Sequence, residues 1–509
     1  MSAEPAGRVL IASNRGPVSF TLGDDGRLTG CRGGGGLVAG LSALAGRAEV
    51  LWVCAALNDA DRAAARGTTD GQLDVPLAAG GAASDGPRSV VRMLDIPAPV
   101  FDRAYNGIAN STLWFIHHLL FDTPNRPLFG LAFRREWESF RAYNAAFADA
   151  LAEGAGPAGA GTRAMVQDYH LTLVPRMLAQ RRPDLAIAHF SHTPWAPPDY
   201  FALLPDGVAR EVLEGILGAD HAGFHAQRWA SAFLDCCEAV LGAQVDRVAQ
   251  TVRHGGHTTT VGVHALGVDA PQLRARAAAD DVQAHVTALT EAAGGRRLIV
   301  RIDRTELSKN IVRGLAAYRE LLITWPQWRG RVVHVAFAYP SRHDLPEYRE
   351  YTASVQRTAR EIVDEFGTED WAPLVLQVND DYPRSLAAYR LADVLLVNPV
   401  RDGMNLVAKE GPLLSERSCA LVLSREAGAA AELAEGALLV NPYDVSATAQ
   451  ALHEALSMKS AERKRRGNLL ARASAACPPE QWLAAQLGAL GMAAPPRRRP
   501  RRRLRRQPV

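Results

Sequence analysis

One theme recurs along the chain and restricts its fold more than any other feature. A short apolar run ends in a polar cluster, and a helix-forming stretch follows. LIVRIDRTELSKNIVRGLAAYRELL shows the theme in full, and VLLVNPVRDGMNLVAKEG, from Val394 to Gly411, repeats it. RVLIASNR, RAMVQDYHLTLVPRMLAQRRPD, IAHFSHTPWAPPDYF, VVHVAFAYPSRHD and ALVLSREAGAAAEL are further versions or fragments of it. Strands that alternate with helices require parallel sheets covered on both faces, so the fold class is α/β and doubly wound. A chain of 509 residues exceeds one hydrophobic core. The pattern restarts near VGVHALGVDAPQL, which predicts Rossmann-like domains at residues 1–267 and 268–476. PPEQWLAAQLGALGM predicts a terminal helix within 477–492.

In such sheets ligands bind outside the carboxyl ends of the strands. The polar clusters fall there: Asn14-Arg15, Asp168 to His170, His192 to Pro194, Arg304 to Lys309, Ser341-Arg342, and Arg401 to Asn405. Two sheets facing one cleft would bring them together.

The formal charge of +3 misleads, because eight arginines lie between Arg497 and Arg506, and the remainder carries 3 − 8 = −5. A tail of this composition at 493–509 cannot bury a core and reads as disordered. Contact with nucleic acid through it is a minor reading. No apolar run reaches a membrane span, and the N-terminus lacks a signal pattern, so no membrane association is expected. The six cysteines show neither metal nor framework spacing, which fits a reduced, cytoplasmic protein.

Only four basic residues are lysine: Lys309, Lys409, Lys459 and Lys464. A lysine kept in so arginine-rich a chain marks a place for a compact ammonium. In DRTELSKN, Arg304 and Lys309 suit a diphosphate, one as a planar fork and one as a point charge. The alternative is a solvated loop with Glu306 as internal counterion. GGGG at Gly33 to Gly36 can offer backbone N–H groups to a phosphate. It is not a dinucleotide or Walker pattern, which counts against a dehydrogenase and a P-loop kinase. Asp402 with the backbone of Gly403 to Leu406 can bond a polyol, and a helix starting near Asn405 points its positive end at an anion. Glu410, one turn in, can accept from a ribose diol. Asp168 and His170 could form a base pair or half a metal site, but nothing completes a metal site. His192 ends a strand, and Trp114 with His117-His118 reads as core or as a cleft wall for a sugar ring.

These segments, with SNRGPVS, SHTPWAPPDYFALLP, GADHAGFHAQRWASAFLDC and YPSRHDLPEY, resemble the trehalose-6-phosphate synthases in kind and order over roughly residues 8–480. Those are retaining glucosyltransferases of GT-B fold. The resemblance implies transfer of glucose from UDP- or GDP-glucose to glucose 6-phosphate, giving α,α-trehalose 6-phosphate, with no metal or other cofactor. It implies that Arg304 and Lys309 hold the donor diphosphate and that Glu410 takes the ribose. Asp402, Gly403, Met404, Asn405, Leu406, Val407 and His192 would hold the donor glucose, and Gly34, Gly35 and Gly36 would close over the phosphates. Arg15, Tyr105, Trp114, Asp168 and Arg342 would hold glucose 6-phosphate. No side chain forms a glycosyl intermediate in this family; the leaving phosphate takes the acceptor's proton. Arg304, Lys309, Asp168 and His192 are thus the expected catalytic set.

Three departures bear on nucleotide and acceptor. The family's HDYH is QDYH here, with Gln167 for histidine; its ERLDYSKG is DRTELSKN; its second tryptophan after LW is replaced within LWVCAAL. The alternatives are a pseudo-glycosyltransferase joining cyclitols and a catalytically silent sugar-phosphate binder. The absence of a DxDx[TV] motif calls for a separate phosphatase, and a homo-oligomer stays open.

Overall fold

A computed structural model describes residues 8–23, 25–32, 49–68, 71–76, 88–159, 161–342 and 344–492. The Gly33–Gly36 loop, the segment LAAGGAASDG at residues 77–86 and the arginine tail therefore lie outside the described residues.

In the first half, Val9–Ala12 is an inner strand of a ten-stranded sheet, with six strands on one side and three on the other. Val50–Ala55 and Arg88–Leu94 extend it on one side, and Arg163–Gln167, Ala186–Ser191 and His221–Phe224 on the other, all in parallel. The chain leaves Val9–Ala12 in one direction and returns to its other flank at Arg163–Gln167. The order of strands reverses between these two, and such a reversal opens a crevice at their carboxyl ends. Asn14-Arg15 and Asp168 are the residues at its rim.

The second half is a six-stranded, wholly parallel sheet. Its spatial order is Leu374–Gln377, Val332–Tyr339, Arg297–Arg304, Val394–Val397, Ala420–Ser424, Leu438–Val440. Numbered along the chain this is 3-2-1-4-5-6, the doubly wound order. Its reversal lies between Arg297–Arg304 and Val394–Val397, and the loops leaving these two strands are DRTELSKN and NPVRDGMN. Val394–Val397 is fully buried because helices cover both faces, as its unbroken apolar run requires.

The halves touch through a few specific contacts. Trp229 Nε1 donates to the Gly403 carbonyl (3.0 Å), and Arg401 Nη2 to that of Trp195 (3.1 Å). A Cβ on Gly403 would stand 1.8 Å from the His192 carbonyl oxygen, so no other residue fits at that crossing. Lys409, one of the four lysines, lies fully buried at this junction, with Nζ on the Leu266 carbonyl (3.0 Å) and on Glu432 (2.6 Å). The terminal helix Pro479–Ala489 crosses back and packs Trp482, Leu483 and Leu487 into the core beneath the first sheet.

Candidate active site

Both reversals face one cleft. On the side of the second sheet, Lys309 Nζ bonds Asp402 Oδ2 at 2.6 Å, and Asp402 also accepts from Asn405 Nδ2 (3.1 Å). Burial alone would lower the ammonium and raise the carboxyl. The attraction between them wins at both ends, so the Lys309 pKa lies above and the Asp402 pKa below the ordinary value. The helix after this loop runs Val407–Leu414, two residues later than the expected start near Asn405. Asn405 is left-handed (φ 77°), and its Oδ1 accepts from Ala408 N, so the amide orders the first turn from outside it. Glu410 lies within that helix, accepts from Tyr389 OH (3.1 Å), and has its carboxyl pushed up by burial.

Glu306 is the group that the sequence reading undervalued. It is not a solvated counterion: it is fully buried, 3.0 Å from Arg304 and 3.6 Å from Arg342, and its Oε1 accepts from Ser341. Burial raises its pKa, but Arg304, Arg342 and Lys309 more than offset this and bring it down to about 2. One carboxylate thus pairs with two guanidinium groups and acts on Lys309 by its charge, while Arg304 stays half-exposed. Its signal in the sequence was its place between Arg304 and Lys309.

On the side of the first sheet, Arg342 reaches across. Its Nη1 donates to Tyr348 OH (2.8 Å) and its Nη2 to Tyr169 OH (3.3 Å), and the guanidinium lies 4.1 Å over the Trp114 ring. Trp114 is buried in the core of the first half and in turn stacks on His118 at 3.8 Å, so the guanidinium rests on an aromatic pair. Burial holds the His118 imidazole at about 3, so it is neutral. Tyr105 stacks on His170 (5.6 Å). Burial, with the Arg342 and Arg15 charges acting the same way, pushes the His170 imidazole well below its ordinary value and keeps it neutral. Arg15 is exposed, with its backbone fixed by Ser13 Oγ, itself bonded by Trp52 Nε1.

Asp168 closes the floor. Burial lifts its carboxyl to about 6, against backbone N–H bonds from Tyr169 and His192 and the Arg342 charge. Beside it runs a chain of neutral rings: Gln167 Oε1 to His192 Nε2 at 3.0 Å, then His192 Nδ1 to His225 Nε2 at 3.2 Å. Sequence reading found Gln167 and His192 but not His225, which no local pattern distinguishes from a core histidine.

Four of the non-glycine residues with positive φ sit at these strand ends: Asp168 (75°), Asn310 (58°), Arg342 (48°) and Asn405 (77°). Such backbone costs of order 1 kcal/mol each and marks functional turns. It also explains one departure. Asn310, where the related motif has glycine, adopts the left-handed conformation that glycine takes freely and asparagine tolerates. The departure preserves the turn.

The model of glycosyltransferase family 20 matches residues 7–490. The chain belongs to that family. A family member from Schizosaccharomyces pombe, an alpha,alpha-trehalose-phosphate synthase [UDP-forming], is 32% identical over 486 residues, covering 91% of this chain and 86% of its own. A bifunctional trehalose-6-phosphate synthase/phosphatase from Thermoproteus tenax is 36% identical over 365 residues, and the match spans 71% of this chain and about half, 48%, of that relative. Among solved structures, an alpha,alpha-trehalose-phosphate synthase (UDP-forming) from Burkholderia xenovorans in complex with glucose-6-phosphate superposes with a TM-score of 0.80 at 26% identity, covering 95% of this chain and all of that one (100%). The likeness to this family member establishes the two-domain GT-B architecture.

Proposed function

We infer that this chain transfers glucose, with retention, from a nucleotide-glucose to glucose 6-phosphate, forming α,α-trehalose 6-phosphate. The observation that carries the reading is the meeting of Arg342, Tyr169 and Trp114 with the Lys309–Asp402 pair in one cleft of a family 20 chain. UDP-glucose is the donor we propose, since the relatives are named UDP-forming.

In this reading the donor's diphosphate lies between Arg304 and Lys309, the ribose on Glu410, and the glucose on Asp402, the Gly403–Val407 backbone and His192. Glucose 6-phosphate sits with its phosphate between Arg15 and Arg342, its ring on Trp114 and Tyr105, and a hydroxyl on Asp168. The bond from C1 to the diphosphate oxygen breaks while the acceptor hydroxyl bonds C1 from the same face. The hydroxyl proton passes to the departing phosphate oxygen. The protein's part is positioning and stabilisation of the leaving charge by Arg304 and Lys309. Closure of the halves excludes water that would hydrolyse the donor.

The reaction so drawn needs no metal or organic cofactor. Its phosphorylated product calls for a phosphatase to release trehalose, and both substrates are metabolites of the cytoplasm, where we place the enzyme. Among the described residues no helix is long and apolar enough to cross a membrane. The test is an assay of UDP- and GDP-glucose against glucose 6-phosphate, with the disaccharide phosphate identified by mass and anomeric configuration. Release of free glucose alone, or no turnover with either donor, would refute the reading.

A further inference from the structure

The second sheet carries a cavity at the end opposite the cleft. Its volume is about 410 Å³, and Arg296, Arg297, Arg417 and Arg463 line it around a single carboxylate, Asp393. Arg297 opens the strand Arg297–Arg304 and Asp393 immediately precedes Val394–Val397, so both lie at the amino ends of the strands. The transfer reaction uses the carboxyl ends. Nothing in it reaches this cavity.

The charges do not balance. Four guanidinium groups face one carboxylate, a formal surplus of 4 − 1 = +3. Asp393 Oδ2 already accepts from Leu298 N (3.0 Å) and Arg417 Nη1 (2.9 Å), and Arg463 Nη1 stands 3.7 Å from its other oxygen, too far for a hydrogen bond. Arg296 is spent on the carbonyls of Gly330, Ala293 and Asp370. Among the described residues Arg297 makes no side-chain hydrogen bond or ion pair; its Nη1 and that of Arg463 are enclosed without a hydrogen-bond partner, so the part-exposed remainder of each guanidinium is what can face the cavity. Enclosed donors of this kind are normally satisfied. An ion-pair hub around Asp393 accounts for Arg417 and Arg463. It does not account for Arg297, nor for the surplus of positive charge.

We propose that this cavity binds a phosphate-type dianion, free or as the phosphoryl group of a small metabolite, at a site separate from the transfer cleft. Phosphate oxygens match the planar donors of arginine, and the dianion would offset most of the surplus. The space exceeds a bare phosphate and leaves room for a short organic group.

The test is calorimetric titration of the full chain with inorganic phosphate, in an Arg342→Ala background that weakens the acceptor's phosphate site. One saturable site should persist there, and adding Arg297→Met and Arg463→Met should weaken it at least tenfold. Glycerol 3-phosphate as a second titrant separates the sources: tighter binding than phosphate assigns the site to a phosphorylated metabolite, equal or weaker binding to the free ion. Thermal unfolding guards against a merely structural role. In phosphate-free buffer Arg297→Met should unfold at the same or a higher temperature, because it removes an unpaired cation, and it should lose the rise that phosphate gives the unsubstituted chain. Phosphate affinity unchanged by the double substitution, or no saturable site in the Arg342→Ala background, would overturn the proposal. So would a lower midpoint for Arg297→Met with its phosphate response intact.

Discussion

Lys309 Nζ and Asp402 Oδ2 lie 2.6 Å apart although 93 residues separate them in sequence. They meet because the two strands that flank the reversal of the second sheet release their loops side by side. Neither charge is stable there alone: removing one partner of a buried pair costs about 3–5 kcal/mol by stranding the other. In the reaction we propose, a donor diphosphate would offer Lys309 a second anion and free Asp402 to accept from sugar hydroxyls.

Lys309→Ala should therefore lower kcat by about a hundredfold or more, as for other lost stabilisers of transition-state charge. Lys309→Arg should not restore it, since a planar guanidinium cannot keep the contact of a point charge with Asp402. Steady-state rates with saturating nucleotide-glucose and glucose 6-phosphate decide this. A near-normal rate in the alanine variant would rule out the role.

Arg342 tests the acceptor. It bonds Tyr348 and Tyr169 and approaches Glu306. Loss of a charge-assisted contact to phosphate costs roughly 2–5 kcal/mol, so Arg342→Ala should cut kcat/KM for glucose 6-phosphate about thirtyfold or more. Transfer to unphosphorylated glucose should barely change. Equal losses on both acceptors would mean that the arginine serves the fold instead.

The parallel sheets were legible because their strands are buried on both faces and end in polar clusters, as at Val394–Val397 and Arg401 to Asn405. The residues of the cleft were legible for the same reason: strand ends are where an α/β chain places unusual residues. What stayed hidden depends on contacts between distant segments. Glu306 looks like any loop acid until Arg342 arrives from the next strand end. Tyr169 becomes an arginine partner only when the halves meet. His225 joins His192 through the sheet, not the sequence. The start of the helix at Val407 was missed because Asn405 takes a left-handed backbone that its residue type permits but does not dictate.

Asp168 gives stability a pH dependence of definite sign. Its carboxyl titrates at about 6 in the folded chain against 3.8 ordinarily. Between these values the native state holds a proton that the unfolded state has lost, so its contribution to stability falls as pH rises from about 4 to 6 and is constant above. The full change is at most about 3 kcal/mol. Asp168→Asn removes it, so the stability of the variant relative to the unsubstituted chain should climb over this interval in urea unfolding. A flat difference would show that the carboxyl is not raised.

Gln167 stands where related motifs have histidine, and its amide meets His192 at 3.0 Å. A neutral imidazole between Gln167 and His225 has its ring plane and tautomer fixed by both. Gln167→Met removes one of the two bonds, worth about 0.5–1.5 kcal/mol, so kcat/KM for the nucleotide-glucose should fall about two- to tenfold. The effect should fall on donor kinetics, with the KM for glucose 6-phosphate little changed, and Gln167→His should restore part of it. A loss confined to the acceptor would detach His192 from the donor sugar.

The terminal helix provides the last test, because it belongs by sequence to the end of the chain and by packing to the first half. Trp482, Leu483, Leu487 and Leu490 are 2–5% exposed and lie in the core with Trp52, Cys54 and Phe190. Trp482 meets Phe190 edge-on at 5.1 Å and comes within 5.7 Å of His192, and Arg163 Nε bonds the Leu490 carbonyl at 2.8 Å. At roughly 1.5–3 kcal/mol for each large apolar side chain buried, these four contribute about 6–12 kcal/mol, comparable to the whole stability of a domain. Ending the chain at residue 476 should therefore lower the thermal midpoint by more than ten degrees or abolish soluble expression, and should impair donor binding through His192. Ending it at residue 492 removes only the arginine tail and should leave midpoint and activity within error. Differential scanning calorimetry of the two truncated chains separates these outcomes, and equal tolerance of both cuts would show that the helix does not hold the halves together.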